Sequence, residues 1–240
     1  MKIKPSPLPN KEVESVFSLY SQGDYSKAVN SIKKLNNIYP NQPLLFNLIG
    51  ACYKELGELP GAAKMFEVAI NLSPNYAEAH FNLGVVFMEL GQENEGIECY
   101  KKAISINPNY PDAHNNLGTS LHSLGQLEEA IESLEWAIAY KHNFAEAHNN
   151  LGNVFNDFGK VKEAVKCYEK AVKYNPNYAK AFFNLAIAYK DLGNVNAYQE
   201  CIEKTVALKP DWGDAHLHLS RIKNYKVNDP HIMEMLSIIE

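Results

Sequence analysis

Apolar residues recur along this chain at alternating steps of three and four, which is the spacing of one face of an α-helix. From Ala145 through Leu151 and Phe155 to Phe158 the pattern predicts a first helix. Gly159 then supplies a turn, because glycine accepts a positive φ without steric cost. Val161 to Tyr174 predicts a second amphipathic helix, and the Pro176-Asn177-Tyr178 corner breaks it and starts another unit.

The helix–turn–helix unit repeats. Gly57, Gly91, Gly125, Gly159 and Gly193 fall at a strict 34-residue interval, with Gly23 extending the series backward. Pro40, Pro74, Pro108, Pro176 and Pro210 keep one phase, with His142 standing in once. Tyr76, Tyr110, Phe144, Tyr178 and Trp212 keep another. A fixed period of this length marks a stack of supersecondary units in which each buries its apolar face against the next. Gly84, Gly118 and Gly152 sit inside helices, where glycine costs about 1 kcal/mol against alanine. Gly50, Ala186 and Ser220 hold the same phase, so the position predicts a close helix–helix approach.

The period, with Leu151, Gly152, Phe155, Gly159, Ala164, Tyr168, Ala171 and Pro176 in one unit, resembles the tetratricopeptide repeat. The resemblance implies an all-α, right-handed α-α superhelix whose first helices line the concave side, and a role in holding other polypeptides. It divides the chain into a tail at 1–8, an array at 9–226 of six repeats plus the first helix of a seventh, and a capping helix at 227–240. The first unit departs from the pattern around Val16, and the sixth places Tyr198 and Thr205 where small alanines are usual.

When each unit is numbered so that its Leu-Gly pair takes positions 7 and 8, positions 4, 7, 8 and 11 of the first helix share a packing face, and positions 2, 6, 9 and 13 lie opposite. Position 6 is Asn82, Asn116, Asn150 and Asn184. An asparagine amide can pair with any peptide backbone. Parallel first helices about 10 Å apart would set one asparagine against roughly every third residue of an extended chain, at about 3.3 Å per residue. Four such bonds total about 4 kcal/mol, only millimolar binding. Further contacts are therefore expected from Asn115, Asn149, Asn153, Phe81, Met88, His122, Asn156 and Phe183. The alternative is that the ladder holds adjacent units together. The run Ala113-His114-Asn115-Asn116-Leu117-Gly118, repeated at 147–152, resembles the repeats of O-linked N-acetylglucosamine transferases, which implies an asparagine ladder that grips substrate peptides.

Charge refines the expected partner. Residues 1–42 carry +3 and the remainder −8, a poor balance for tracking phosphates, so nucleic acid is not expected. Glu78, Asp112, Glu146, Glu55, Glu89, Asp157 and Asp191 face Lys180 on the open side. The reading is a solvated polar face or a preference for a basic or neutral protein or peptide segment. The basic tail and acidic face also make a homo-oligomer conceivable. Position 5 holds Asn47, Phe81, Asn115, Asn149 and Phe183, without the lysine of the carboxylate clamp that the family's chaperone-binding members use.

No apolar run reaches the ~18 residues that span a bilayer, so no membrane insertion is expected. Four scattered cysteines point to a reducing, cytoplasmic setting. His80, His114, His148 and His216 occupy position 4, a packing position, and no metal, cofactor or catalytic motif is expected. Leu219 to Tyr225, followed by Asp229-Pro230-His231-Ile232, resembles the junction after the repeats of bacterial repeat–sulfotransferase proteins. That leaves open a capping helix or the substrate-recruiting or dimerising region of a larger sulfotransferase- or glycosyltransferase-type enzyme.

Overall fold

The computed structural model describes residues 8–222 and 231–232. The expected tail, apart from Leu8, and the expected capping helix, apart from His231 and Ile232, lie outside the described residues. Among those described, the fold is all-α: thirteen helices and no strand. In order they are α1 (Asn10–Ser21), α2 (Tyr25–Ile38), α3 (Pro43–Glu55), α4 (Leu59–Leu72), α5 (Ala77–Glu89), α6 (Glu93–Ile106), α7 (Pro111–Ser123), α8 (Leu127–Tyr140), α9 (Ala145–Asp157), α10 (Val161–Tyr174), α11 (Ala179–Asp191), α12 (Val195–Leu208) and α13 (Gly213–Ile222). The chain divides within α7 into two compact units, residues 1–117 and 118–240.

The turn inside each pair follows from one glycine. Gly159 has φ +77°; its N–H donates to Asn156 O at 2.9 Å and the N–H of Lys160 to Phe155 O at 2.8 Å. This pair of bonds satisfies two carbonyls that the end of α9 would otherwise leave open. Second helices end differently. Asn175 leaves α10 in an extended conformation, as a residue before proline should, and Pro176 cannot continue the helix.

Inside a pair, position 8 of the first helix meets position 24, on the second. A Cβ added at Gly50, Gly84 or Gly152 would sit 2.7, 2.8 or 2.5 Å from the ring of Phe66, Tyr100 or Tyr168. At Gly118 it would meet Leu134 at 2.6 Å. The glycines are small because a large side chain occupies their space. Where position 8 has a Cβ the partner is aliphatic: Val16 and Ile32 share one core, Ala186 and Ile202 another. Volume is exchanged across the pair, as close packing requires. The first repeat is thus irregular in sequence but not in packing, with Val16 only 1% exposed.

The sixth repeat accommodates its two departures by hydrogen bonding. Buried Thr205 donates its hydroxyl to Cys201 O at 2.8 Å. Tyr198 donates its phenol to His218 Nδ1 at 2.8 Å.

Candidate peptide-binding face of the first helices

The position-4 histidines fasten four of the first helices, α5, α7, α9 and α13, to the corner before them. Nε2 of His80, His114, His148 and His216 donates to the carbonyl of Pro74, Pro108, His142 and Pro210, at 3.0, 3.0, 2.9 and 2.7 Å. A carbonyl only accepts, so Nε2 carries a proton, and in the neutral ring Nδ1 is left as an acceptor. His148 also stacks on Tyr174 at 5.4 Å. Burial lowers the pKa of His114 and His148, so both are neutral near pH 7. His216 accepts at Nδ1 from His231 Nε2, 2.7 Å away.

In the first unit, Asn82 is half-buried and donates Nδ2 to Asn47 Oδ1 at 3.1 Å. Asn47, 1% exposed, in turn donates to Glu78 Oε1 at 3.1 Å and to the Tyr76 hydroxyl at 3.3 Å. One buried amide therefore collects three partners from the following repeat. Asn116 donates to the Tyr100 hydroxyl at 3.5 Å and accepts from Asn115 at 3.4 Å. Burial pushes the Tyr100 phenol to about 12, and burial with Glu78 nearby does the same for Tyr76. Both remain protonated. Phe81 packs at a tilt against Tyr110 and Tyr100, with ring centres 5.0 and 5.8 Å apart.

The second unit uses the same donors. Asn150 reaches Thr119 Oγ1 at 3.2 Å. Asn184 shares Nδ2 between Asn149 and Asn153, 3.0 Å from each Oδ1. Tyr168 donates to the same Asn153 oxygen at 2.9 Å. Beside this cluster lies an open cavity of about 250 Å³, lined by His122, Asn153, Asn156, Asp157, Tyr168, Asn184 and Ile187. His122 Nε2 donates to Asp157 Oδ2 at 2.8 Å on its rim. Phe183 packs on Trp212 at 4.7 Å.

The side chains divide between the faces largely as the helical wheel demands. Glu78, Asp112, Glu146 and Lys180 at position 2 are exposed, and Leu83, Leu117, Leu151 and Leu185 at position 7 are buried. Position 5 requires a correction. Asn115 and Asn149 are 2% and 0% exposed, so they stand inside the stack and not on its open side. A first helix packs against the next first helix as well as its own second helix, and position 5 faces that second neighbour. Asn82, Asn116, Asn150 and Asn184 stay half-buried at the edge, with their N–H groups turned to the preceding repeat. Asn153 is half-buried and lines the cavity.

Two features had a sequence signal that residue typing alone did not expose. The histidine clip joins residues six apart at the four corners that carry a position-4 histidine. The Asn47 node joins residues 29 and 31 apart, nearly one period, and becomes visible only when neighbouring repeats are aligned. At the matching node of the second unit, position 2 is Lys180 in place of an acid, and Asn149 Nδ2 is buried with no partner.

Cys52, Cys99, Cys167 and Cys201 are free, and burial pushes each thiol up to about 11. Among the described residues, no helix is long and apolar enough to cross a membrane.

Several solved structures share this fold. MamA shares 26% identity at a TM-score of 0.62, covering 68% of this chain and 95% of its own. YrrB, described as a TPR protein with an unusual peptide-binding site, shares 23% at 0.64, covering 79% and 97%. PilF of Pseudomonas aeruginosa shares 20% at 0.70, covering 82% and 86%. No curated protein sequence gives a significant match. The TPR repeat model matches residues 52–91, 86–125, 118–157 and 152–193, and a second tetratricopeptide-repeat model matches 179–211. With more than half of its length matched, the chain belongs to the tetratricopeptide-repeat family.

Proposed function

We propose that this chain is a non-catalytic scaffold that holds an extended segment of another polypeptide against the open face of its first helices. The observation that carries the reading is the second-unit cavity. Its amides are fixed in place before any guest arrives: Asn184 is tied to Asn149 and Asn153, and Asn153 to Tyr168. Pre-set polar groups bind without the entropy cost of ordering them. Asn184 Oδ1 accepts no hydrogen bond among the described residues, which leaves it for a guest N–H. Asp157 and Asn156 add charge and donors at the rim, favouring a basic or neutral segment. That a peptide-binding site exists in YrrB supports the use of this fold for such a guest. The four free thiols fit work in a reducing, cytoplasmic compartment.

Because the ladder amides also join repeats, truncating them would confound binding with stability. The test therefore uses Asn156 and Asp157. Peptides selected on the full chain from a random library should bind at least tenfold more weakly to an Asn156→Ala/Asp157→Asn double variant of unchanged melting temperature. Equal affinity for parent and variant across the selected set would refute the site.

A further inference from the structure

The outer side of α8 breaks the repeat in a way the first-helix face does not explain. The phase occupied by Trp136 holds Lys34, Lys102, Lys170 and Lys204 in other second helices, and Val68 in the remaining one. A bulky indole, 47% exposed, thus replaces a solvated ammonium. Trp136 stacks on Tyr140 with ring centres 5.6 Å apart and planes inclined by 22°. Glu132, Glu135, Trp136 and Ala139 follow one another at helical steps of three, one and three, so they form a single stripe. Together they line an open cavity of about 380 Å³. Its neighbour, about 300 Å³, shares Glu135 and Ala139 and ends at Lys170 of α10.

We infer that this stripe is a second docking surface, which receives an arginine- or lysine-bearing segment of a partner protein. An aromatic face attracts a cation through its quadrupole, and a guanidinium also stacks flat on it. Carboxylates one and four residues before the indole can accept that cation's N–H groups. Glu128 and Glu129, in the first turn of α8, extend the negative field. An acidic partner segment would meet four carboxylates, and a purely apolar one would bury Glu132 and Glu135 without partners. Lys170, at the far cavity, confines the incoming cation to the Trp136 side.

The chain has two tryptophans, so Trp212→Phe leaves Trp136 as the sole indole reporter. The full chain is titrated with a synthetic peptide alternating glycine and arginine, and with the same peptide carrying citrulline. The arginine peptide should change Trp136 emission saturably and bind at least tenfold more tightly than the citrulline peptide. Glu132→Gln/Glu135→Gln should weaken it at least tenfold. Trp136→Lys, which restores the residue of neighbouring repeats, should abolish calorimetric binding at unchanged melting temperature. Asn156→Ala/Asp157→Asn should leave it untouched, separating this surface from the first-helix face. No saturable binding, equal binding of both peptides, or full binding by Trp136→Lys overturns the inference. Self-association through Trp136 that the arginine peptide cannot displace would assign the stripe to a second copy and overturn the separate partner.

Discussion

Lys180→Glu should make the protein more stable, although it adds a charge to an already acidic chain. In the first unit the buried Asn47 amide donates to Glu78 Oε1 at 3.1 Å and the Tyr76 hydroxyl at 3.3 Å. In the second unit Asn149 is equally buried and its Nδ2 has no partner; Lys180, which cannot accept, holds the phase of Glu78. A buried donor left unpaired costs about 1–3 kcal/mol. Glu78 is exposed, so water competes for such a carboxylate, and Glu146 lies near enough to add to burial in raising the Tyr178 phenol. Both effects place the expected gain at the low end, about 1 kcal/mol, or roughly 2–4 °C in melting temperature for a chain of this size. Differential scanning calorimetry and urea denaturation of the full chain measure it, with Lys180→Met as the control that removes the ammonium without supplying an acceptor. Glu78→Lys should do the reverse and orphan Asn47 at a similar cost. If Lys180→Glu melts no higher than Lys180→Met, the account of the node is wrong.

Three further outcomes are expected. Gly152→Ala should destabilise by about 1–3 kcal/mol through overpacking on Tyr168, whereas Gly159→Ala, with open space but φ +77°, should cost about 1–2 kcal/mol from backbone strain alone; urea titration with a Tyr168→Leu background, which should rescue only Gly152→Ala, distinguishes them. Acid should destabilise the fold through His114 and His148: their folded pKa values lie below the ordinary 6.5, so the unfolded chain takes up protons first and stability, complete above about pH 6.5, declines as pH falls from there through the folded values. Substituting phenylalanine, the residue at this phase in Phe46 and Phe182, should flatten that decline in pH-dependent melting curves. The four thiols, raised to about 11, should react slowly with a disulfide reagent at pH 8 in the native chain and rapidly in urea; fast native labelling would contradict their burial.

The helices were legible because the period repeats each local signal. The pattern predicts a first helix from Ala145 to Phe158 and a second from Val161 to Tyr174; the structure ends the first at Asp157 and reproduces the second. The small position 8 predicted close approach, and the rings of Phe66, Tyr100 and Tyr168 show what approaches. A helical wheel, however, describes one helix beside one neighbour. Asn149 packs against a first helix almost one period away, so its burial could not be read from its own turn. The ladder is subject to the same limit. Asn82, Asn150 and Asn184 spend their N–H groups on residues 31 or 35 positions earlier, a pairing that depends on how successive repeats are rotated. The sequence does carry the difference between Glu78 and Lys180, but its meaning needs the Asn47 node first.

The six turn glycines, Gly23, Gly57, Gly91, Gly125, Gly159 and Gly193, share φ values of 73–78° and have nothing within 4 Å of where a side chain would begin. They are six equivalent ports along one polypeptide. A short graft or fluorophore tolerated beside one should be tolerated beside the others, so the array can be labelled at regular intervals without redesigning the backbone each time.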